Sequence, residues 1–419
     1  MDHFQYRDGV LFAEDVALPT IAETVGTPVY VYSEATLRRH ARVFREALSG
    51  VPRTHFAFAV KSNPNLAVLR VLKDEGFGAD VVSIGEARRA LAAGMPAADI
   101  VFSGVGKTDA ELDEAVEAGI GQFNLESEEE GIELARIAHE KGLTATGALR
   151  VNPDVDAGTH DKISTGKADN KFGVPIFAAK EIFARLAALP GMNLRGLAVH
   201  IGSQITNLDP SRAAFGKIGA LVAELRADGH TITHVDLGGG LGVPYRAGET
   251  LPTPAEYGAL VAEVTADWDV TVMFEPGRVI SGNSGVLVSQ VIRVKRGANH
   301  PFIVVDAAMN DLARPAMYDA WHDVVAVEPK GERLTANVVG PICESSDTFA
   351  KNREMDAVET GDLVAFRTAG AYGATMANTY NSRPLVPEVL VSGDRYAVVA
   401  NRIEPATILA AEQVPDWLK

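Results

Sequence analysis

Between about residues 54 and 280 the chain alternates short β-rich runs with stretches of helical periodicity. The runs predicted as strands are His55–Val60, Gly78–Val82, Ile100–Ser103, Gly121–Asn124, Ala145–Val151, Leu194–His200, Thr231–Leu237 and Thr271–Glu275. Asn65–Glu75, Gly85–Ala93, Asp109–Ala118, Ser127–Lys141 and Pro210–Asp228 read as helices between them. Ser127 is a natural N-cap, with acidic residues filling the turn behind it. Several strands are nearly continuous apolar runs, as strands of a parallel sheet covered on both faces should be. Eight strands alternating with helices over about 225 residues predict a (β/α)8 barrel, whose usual size is about 250 residues. A doubly wound open sheet is the structural alternative.

After Pro276 the pattern changes to β-rich runs with few helices: Val286–Lys295, Phe302–Asp306, Val324–Glu328, Ala336–Val339, Leu363–Arg367, Glu388–Val391 and Arg395–Val399. This predicts a second, mostly antiparallel β domain of sandwich or barrel type. The short run Pro28–Tyr32 is expected to join it, which divides the chain into a barrel over residues 33–280 and a β domain made of 1–32 and 281–419.

Composition narrows the function classes. A net charge of -16 argues against a nucleic-acid or anionic-membrane surface, because phosphate backbones are held by clustered Lys and Arg. The single cysteine, Cys343, excludes an intramolecular disulfide framework and points to a reducing, cytoplasmic compartment. The start MDHFQYRDGV has neither a basic cluster nor an apolar run, and no segment approaches the length of a membrane span.

Active sites of (β/α)8 barrels sit at the C-terminal ends of the strands. There the sequence places Lys61, then Asp80 and Ser83, Ser103-Gly104, Asn124 and Glu126, Arg150 and Asn152, His200 with Gly202-Ser203, Gly238-Gly239-Gly240, and Glu275-Pro-Gly-Arg278. Loops after strands seven and eight commonly bind phosphate. A glycine run lets backbone amides approach an anion, and Arg278 adds a guanidinium. A phosphate pocket facing a lysine suits a cofactor with both an aldehyde and a phosphate, namely pyridoxal 5'-phosphate held as a Schiff base on Lys61. Glu275 is placed for the ring nitrogen and His200 for the ring face. Taken singly, Lys61 reads as a solvated charge, His200 as a satisfied core histidine, Glu275 as a strand-end charge and the glycines as a tight turn. Together they change the reading.

Phe58-Ala-Val-Lys61-Ser-Asn63, His200-Ile-Gly-Ser-Gln204, Gly238-Gly-Gly-Leu-Gly242, Glu275-Pro-Gly-Arg278, Cys343-Glu-Ser345 and Gly370-Ala-Tyr372-Gly resemble the motif set of the fold-type III pyridoxal-phosphate decarboxylases. Within them, Arg150-Val-Asn-Pro-Asp-Val-Asp-Ala-Gly-Thr-His160, Ser164-Thr-Gly166 and Lys171-Phe-Gly173 resemble the diaminopimelate decarboxylases. Phe58 and Ser62 stand where that family often has Tyr and Ala. The resemblance implies decarboxylation of meso-2,6-diaminopimelate to L-lysine and CO2, the last step of lysine synthesis. It implies Lys61, His200 and Cys343 as catalytic residues, with Ser203, Gly240, Glu275, Gly277, Arg278 and Tyr372 around the cofactor. Arg278, Arg314, Tyr318, Glu344 and Tyr372 match substrate-contacting positions, and no metal is expected. Cys343 matches a residue supplied by the neighbouring subunit, so a homodimer with shared sites is implied. A thiol mostly protonated near neutrality can act as a general acid. Bland readings stand beside these: Cys343 as a small buried hydrophobe, and Arg150 as a structural partner of Glu126. Rival functions are decarboxylation of arginine, ornithine, lysine or carboxynorspermidine on the same fold, amino acid racemisation, and a binding protein that has lost the chemistry.

Overall fold

The computed structural model describes residues 2–158, 165–166 and 170–418. His160 and Ser164 of the motif region lie outside them. The chain divides into two compact units. One comprises residues 38–244 and 250–280, the other 1–37, 245–249 and 281–419.

The first unit is a closed parallel barrel. Its strands are β1 (Thr54–Ala59), β2 (Gly78–Val81), β3 (Ile100–Phe102), β4 (Gln122–Leu125), β5 (Ala145–Asn152), β6 (Met192–Ala198), β7 (His234–Asp236) and β8 (Thr271–Phe274). They pair in sequence order, β8 pairs β1, and the pairing of β4 with β5 completes the ring. An open doubly wound sheet is thereby excluded, since it would leave two edges. Each strand matches a predicted run to within a few residues.

Helices cover the outside because each presents one apolar stripe. Leu66–Asp74 buries Val68, Leu69, Val71 and Leu72, and burying a side chain of this size contributes about 1.5–3 kcal/mol. Ser127 does cap its helix, accepting from the Glu130 amide at 3.2 Å. Two helices absent from the predicted set, Ala179–Ala187 and Pro254–Val264, complete the alternation. The second carries a capping box between Thr253 and Glu256, with a proline in its first turn. That signature was present in the sequence.

The rim between β3 and β4 is tied by a lysine with a fully buried side chain. Lys107 Nζ donates to Gly104 O at 2.8 Å, Asn124 O at 2.9 Å and Glu130 Oε1 at 2.6 Å. Burial pushes the Glu130 carboxyl upward and Lys107 opposes it. One ammonium thus fixes the loop after β3, the end of β4 and the first turn of helix Glu128–Glu140.

In the second unit a mostly antiparallel sheet runs in the order Thr348–Asp356, Arg333–Val339, Phe302–Val305, Gly285–Lys295, Val29–Ser33, Glu388–Ser392, Arg395–Ala400. Leu363–Phe366 pairs with both Gly285–Lys295 and Val324–Ala326. Val29–Ser33 does join it, between Gly285–Lys295 and Glu388–Ser392. Thr348–Asp356 was not predicted, because four of the nine residues in TFAKNREMD are charged and interrupt the β-rich pattern. Among the described residues no helix is long and apolar enough to cross a membrane.

Removing one partner of a buried ion pair leaves the other charge uncompensated. Lys107→Met should therefore lower unfolding free energy by about 3–5 kcal/mol. Lys107→Met combined with Glu130→Gln should recover part of the loss. Urea unfolding of the two variants checks this, and a loss below 1 kcal/mol, about the worth of a surface pair, would remove Lys107 from the account.

Candidate active site

Lys61 sits in a single 3₁₀ turn, Val60–Ser62, directly after β1. The turn closes on itself, Ser62 Oγ donating to Ala59 O at 2.8 Å, and this aims the lysine at the barrel mouth. Lys61 Nζ donates to Asp80 Oδ2 at 3.0 Å, from a side chain 37% exposed to one wholly buried at the end of β2. Asp80 therefore orients the amine.

Lys61, Ser103, Asn124, Arg150, His200 and Glu275 line one cavity of about 400 Å³. Glu275 stands at the end of β8. Its Oε1 accepts from Ser103 Oγ at 3.2 Å and from Asn124 Nδ2 at 3.1 Å. The same amide nitrogen of Asn124 reaches Asp236 Oδ2 at 3.0 Å, and Gln122 Nε2 donates to Asn124 Oδ1 at 3.0 Å. Burial, and after it Asp236 and Asp80, push the Glu275 carboxyl well above its usual range. Such a group favours a proton or a positively charged N–H beside it.

His200 is held neutral. Burial, then Arg150 and Lys61, push its imidazolium well below the ordinary value. Gly239 N–H donates to its Nδ1 at 3.2 Å, which leaves the ring proton on Nε2. Arg150 pairs with Glu126 at 2.5 Å, and Glu126 also accepts from Gly173 N–H at 2.8 Å. The Arg150 guanidinium lies 4.8 Å over the Phe172 ring. Its structural reading is met, and it lines the cavity as well.

The glycine run is used differently from a simple anion cradle. Gly238 N–H goes to Asp236 Oδ1 at 2.8 Å and Gly239 N–H to His200. Of the three glycines, Gly240 is the one whose amide these two bonds leave over. Gly240 has φ +111°, and a Cβ there would lie 2.2 Å from Gly202 O, so no other residue fits. Arg278 Nη2 donates to Ser203 Oγ at 3.1 Å, which brings two predicted phosphate-side residues together. At Gly277 an added Cβ would meet Ala59 and Ser62 at 3.1 Å, close behind Lys61.

A model of the pyridoxal-dependent decarboxylases, pyridoxal binding domain, matches residues 34–282. Diaminopimelate decarboxylase from Zymomonas mobilis is 49% identical over 99% of this chain and 99% of its own length. That from Pseudomonas fluorescens is 50% identical with the same coverage. The crystal structure of M. jannaschii diaminopimelate decarboxylase in co-complex with L-lysine has a TM-score of 0.96 at 36% identity, covering 100% of this chain and 99% of that one. The chain belongs to the diaminopimelate decarboxylase family.

The barrel residues fit the family's cofactor: an amine held by a buried acid, a neutral imidazole, a buried carboxyl in want of a positive donor, and a cradle that only glycine fills. The remaining predicted residues of this decarboxylase lie in the second unit. Arg314 is buried, its Nη1 2.8 Å from His322 Nε2 and its guanidinium 4.4 Å over the Tyr245 ring. Tyr318 ends the short helix Arg314–Tyr318. Tyr372 has φ +55° in the Gly370–Gly373 turn. Cys343 is exposed, so the reading as a buried hydrophobe fails. Glu344 is exposed too and accepts from Ser346 Oγ at 2.9 Å. Sequence reasoning passed over Asp236 and Gln122. An acid closing the run His234-Val-Asp236, separated only by Leu237 from three glycines, was the signal for the first.

A carboxyl whose pKa rises on folding stabilises the fold below its unfolded value and loses that contribution as pH climbs toward the folded one. Cofactor-free wild type should therefore lose stability relative to Glu275→Gln from about pH 5 upward. Unfolding midpoints of both proteins across pH test this, and a constant difference would contradict it.

Proposed function

We propose that this chain catalyses the pyridoxal-phosphate-dependent decarboxylation of meso-2,6-diaminopimelate to L-lysine and CO2. The observation that carries the reading is the convergence of Lys61, His200 and Glu275 on one cavity in a chain about half identical to diaminopimelate decarboxylases along its whole length. The bound cofactor supplies an electron sink for the pair left on Cα when the Cα–carboxylate bond breaks.

The chain's own residues do the rest. Lys61 holds the cofactor's aldehyde carbon through its amine, and Asp80 keeps that amine aimed. His200, neutral, covers the ring face without placing a cation against it. Glu275 accepts from the ring N–H and holds the proton there. Ser203, Gly240, Gly277, Arg278 and Tyr372 take the phosphate side. Arg278, Arg314, Tyr318, Glu344 and Tyr372 recognise the substrate. A guanidinium suits the distal carboxylate through paired hydrogen bonds, and a carboxylate suits the distal ammonium. Cys343 protonates Cα, each copy serving the site of its partner in a homodimer. Its exposure, with that of Glu344, supports this arrangement. The compartment is the cytoplasm.

A panel of diamino acids with pyridoxal phosphate, followed for CO2 and chiral products, tests the substrate. Lysine and CO2 are expected from meso-diaminopimelate. CO2 from ornithine or arginine alone would move the chain to a rival decarboxylase, and consumption without CO2 would make it a racemase. Lys61→Ala should lose the visible absorption of bound cofactor after dialysis. Cys343→Ala should lower kcat by about 10²–10⁴-fold. Mixed dimers of Lys61→Ala and Cys343→Ala should regain part of the activity, and a verified mixed dimer with none would dismiss the shared site.

A further inference from the structure

We infer that Asp236 is a positioning residue of this site: bridged to Glu275 by the single amide nitrogen of Asn124, it shares one proton with that glutamate in the cofactor-free protein, and it keeps the ring nitrogen protonated once the cofactor is bound. The inference rests on the reading that Glu275 faces the ring nitrogen of pyridoxal phosphate.

The geometry is specific. Asp236 is 1% exposed at the end of β7. Its Oδ1 accepts from Gly238 N–H at 2.8 Å and its Oδ2 from Asn124 Nδ2 at 3.0 Å. The nitrogen that reaches Asp236 lies 3.1 Å from Glu275 Oε1, so the two carboxyl groups are neighbours. Asp80, also buried, adds a third acid. Lys61, bonded to Asp80, is the ammonium among them, while Arg150 is committed to Glu126. His200 adds no positive charge, being held neutral.

Three buried acids beside one ammonium cannot all ionise, because like charges in a poorly solvated site repel strongly. Asp236 has two N–H donors fixed on it and is the better-solvated anion. Glu275 receives a hydroxyl and a share of one amide, and burial with Asp236 nearby pushes it upward. The proton therefore sits on Glu275 and is donated to Asp236. When the ring nitrogen binds, Glu275 stops donating to Asp236 and accepts from the ring N–H instead. The Glu275 O–H bond breaks, and its proton passes to the ring nitrogen if that arrives bare or to solvent if it arrives protonated. Asp236 stays ionised behind the pair, and its charge adds to that of Glu275 in holding the ring proton.

Infrared difference spectroscopy of wild type, cofactor-free against reconstituted with pyridoxal phosphate, tests the first half without any variant. A protonated-carboxyl stretch should be present before reconstitution and lost after it, and Glu275→Gln should lack it. The ¹⁵N shift of ring-labelled pyridoxal phosphate, followed against pH, tests the second half. Asp236→Asn should bind its proton about tenfold more weakly, a midpoint about one unit lower. A purely structural Asp236 would cost thermal stability and leave that midpoint unmoved, which overturns the inference. So does wild type that binds the cofactor with no loss of a carboxyl stretch. Wild type that takes up no pyridoxal phosphate at all overturns the proposed function itself, and this inference with it.

Discussion

Closure of the sheet between β4 and β5 is the constraint on which the rest depends. Because all eight strands run parallel, pairing Phe123, Asn124 and Leu125 with Gly147, Ala148 and Leu149 sends every C-terminal strand end to the same rim. Residues far apart in the chain then meet: Lys61 with Asp80, Asn124 with Asp236 and Glu275, Gly239 with His200. Asp80, Asn124, Asp236 and Glu275 are all buried at that rim. Each polar group brought there must find a protein partner or shift its proton affinity. The hydrogen-bond network and the displaced titrations of Glu275 and His200 are two results of that single enclosure.

The polar groups at the rim satisfy one another in a hierarchy. Backbone amides of the glycine run serve Asp236 and His200 first, which makes the run part of the frame that sets the acid and the imidazole. Lys107 plays a corresponding part between β3 and β4, holding Gly104 and Asn124 by their carbonyl oxygens. Asn124 is thereby fixed at both its backbone and its side chain, since Gln122 takes its amide oxygen. A residue pinned in this way can aim one nitrogen at two carboxylates at once.

Much of this was legible in the sequence, for a physical reason. Strands buried on both faces must be largely apolar, so runs such as Ile100-Val-Phe102 and Val272-Met-Phe274 stand out, and the residues that follow them line the site. What was not legible follows from the same logic reversed. Thr348–Asp356 faces solvent on one side and reads as a charged segment. Lys107 looks like any lysine in a loop, because the partners it meets at Asn124 O and at Glu130 on helix Glu128–Glu140 lie 17 and 23 residues further along the chain. The use of Gly238 and Gly239 as donors to side chains was hidden too. Sequence shows that a backbone can approach something, and the fold decides what it approaches.

The substrate was named by resemblance, and the structure explains why spacing alone could not name it. The groups that line the barrel cavity are fixed by barrel closure and follow the strand ends in the sequence. Arg314, Tyr318, Glu344 and Tyr372 belong to the other unit, on short turns and a five-residue helix without periodicity of their own. Arg314 is held by a histidine and an aromatic face, His322 and Tyr245. His322 Nδ1 donates to Arg367 O at 2.9 Å, so Nε2 is left to accept from the guanidinium. That arrangement joins residues 245, 314, 322 and 367, a spacing no motif records. The barrel residues therefore follow from the repeat, whereas the environment of Arg314 depends on side-chain partners that only the folded second unit creates.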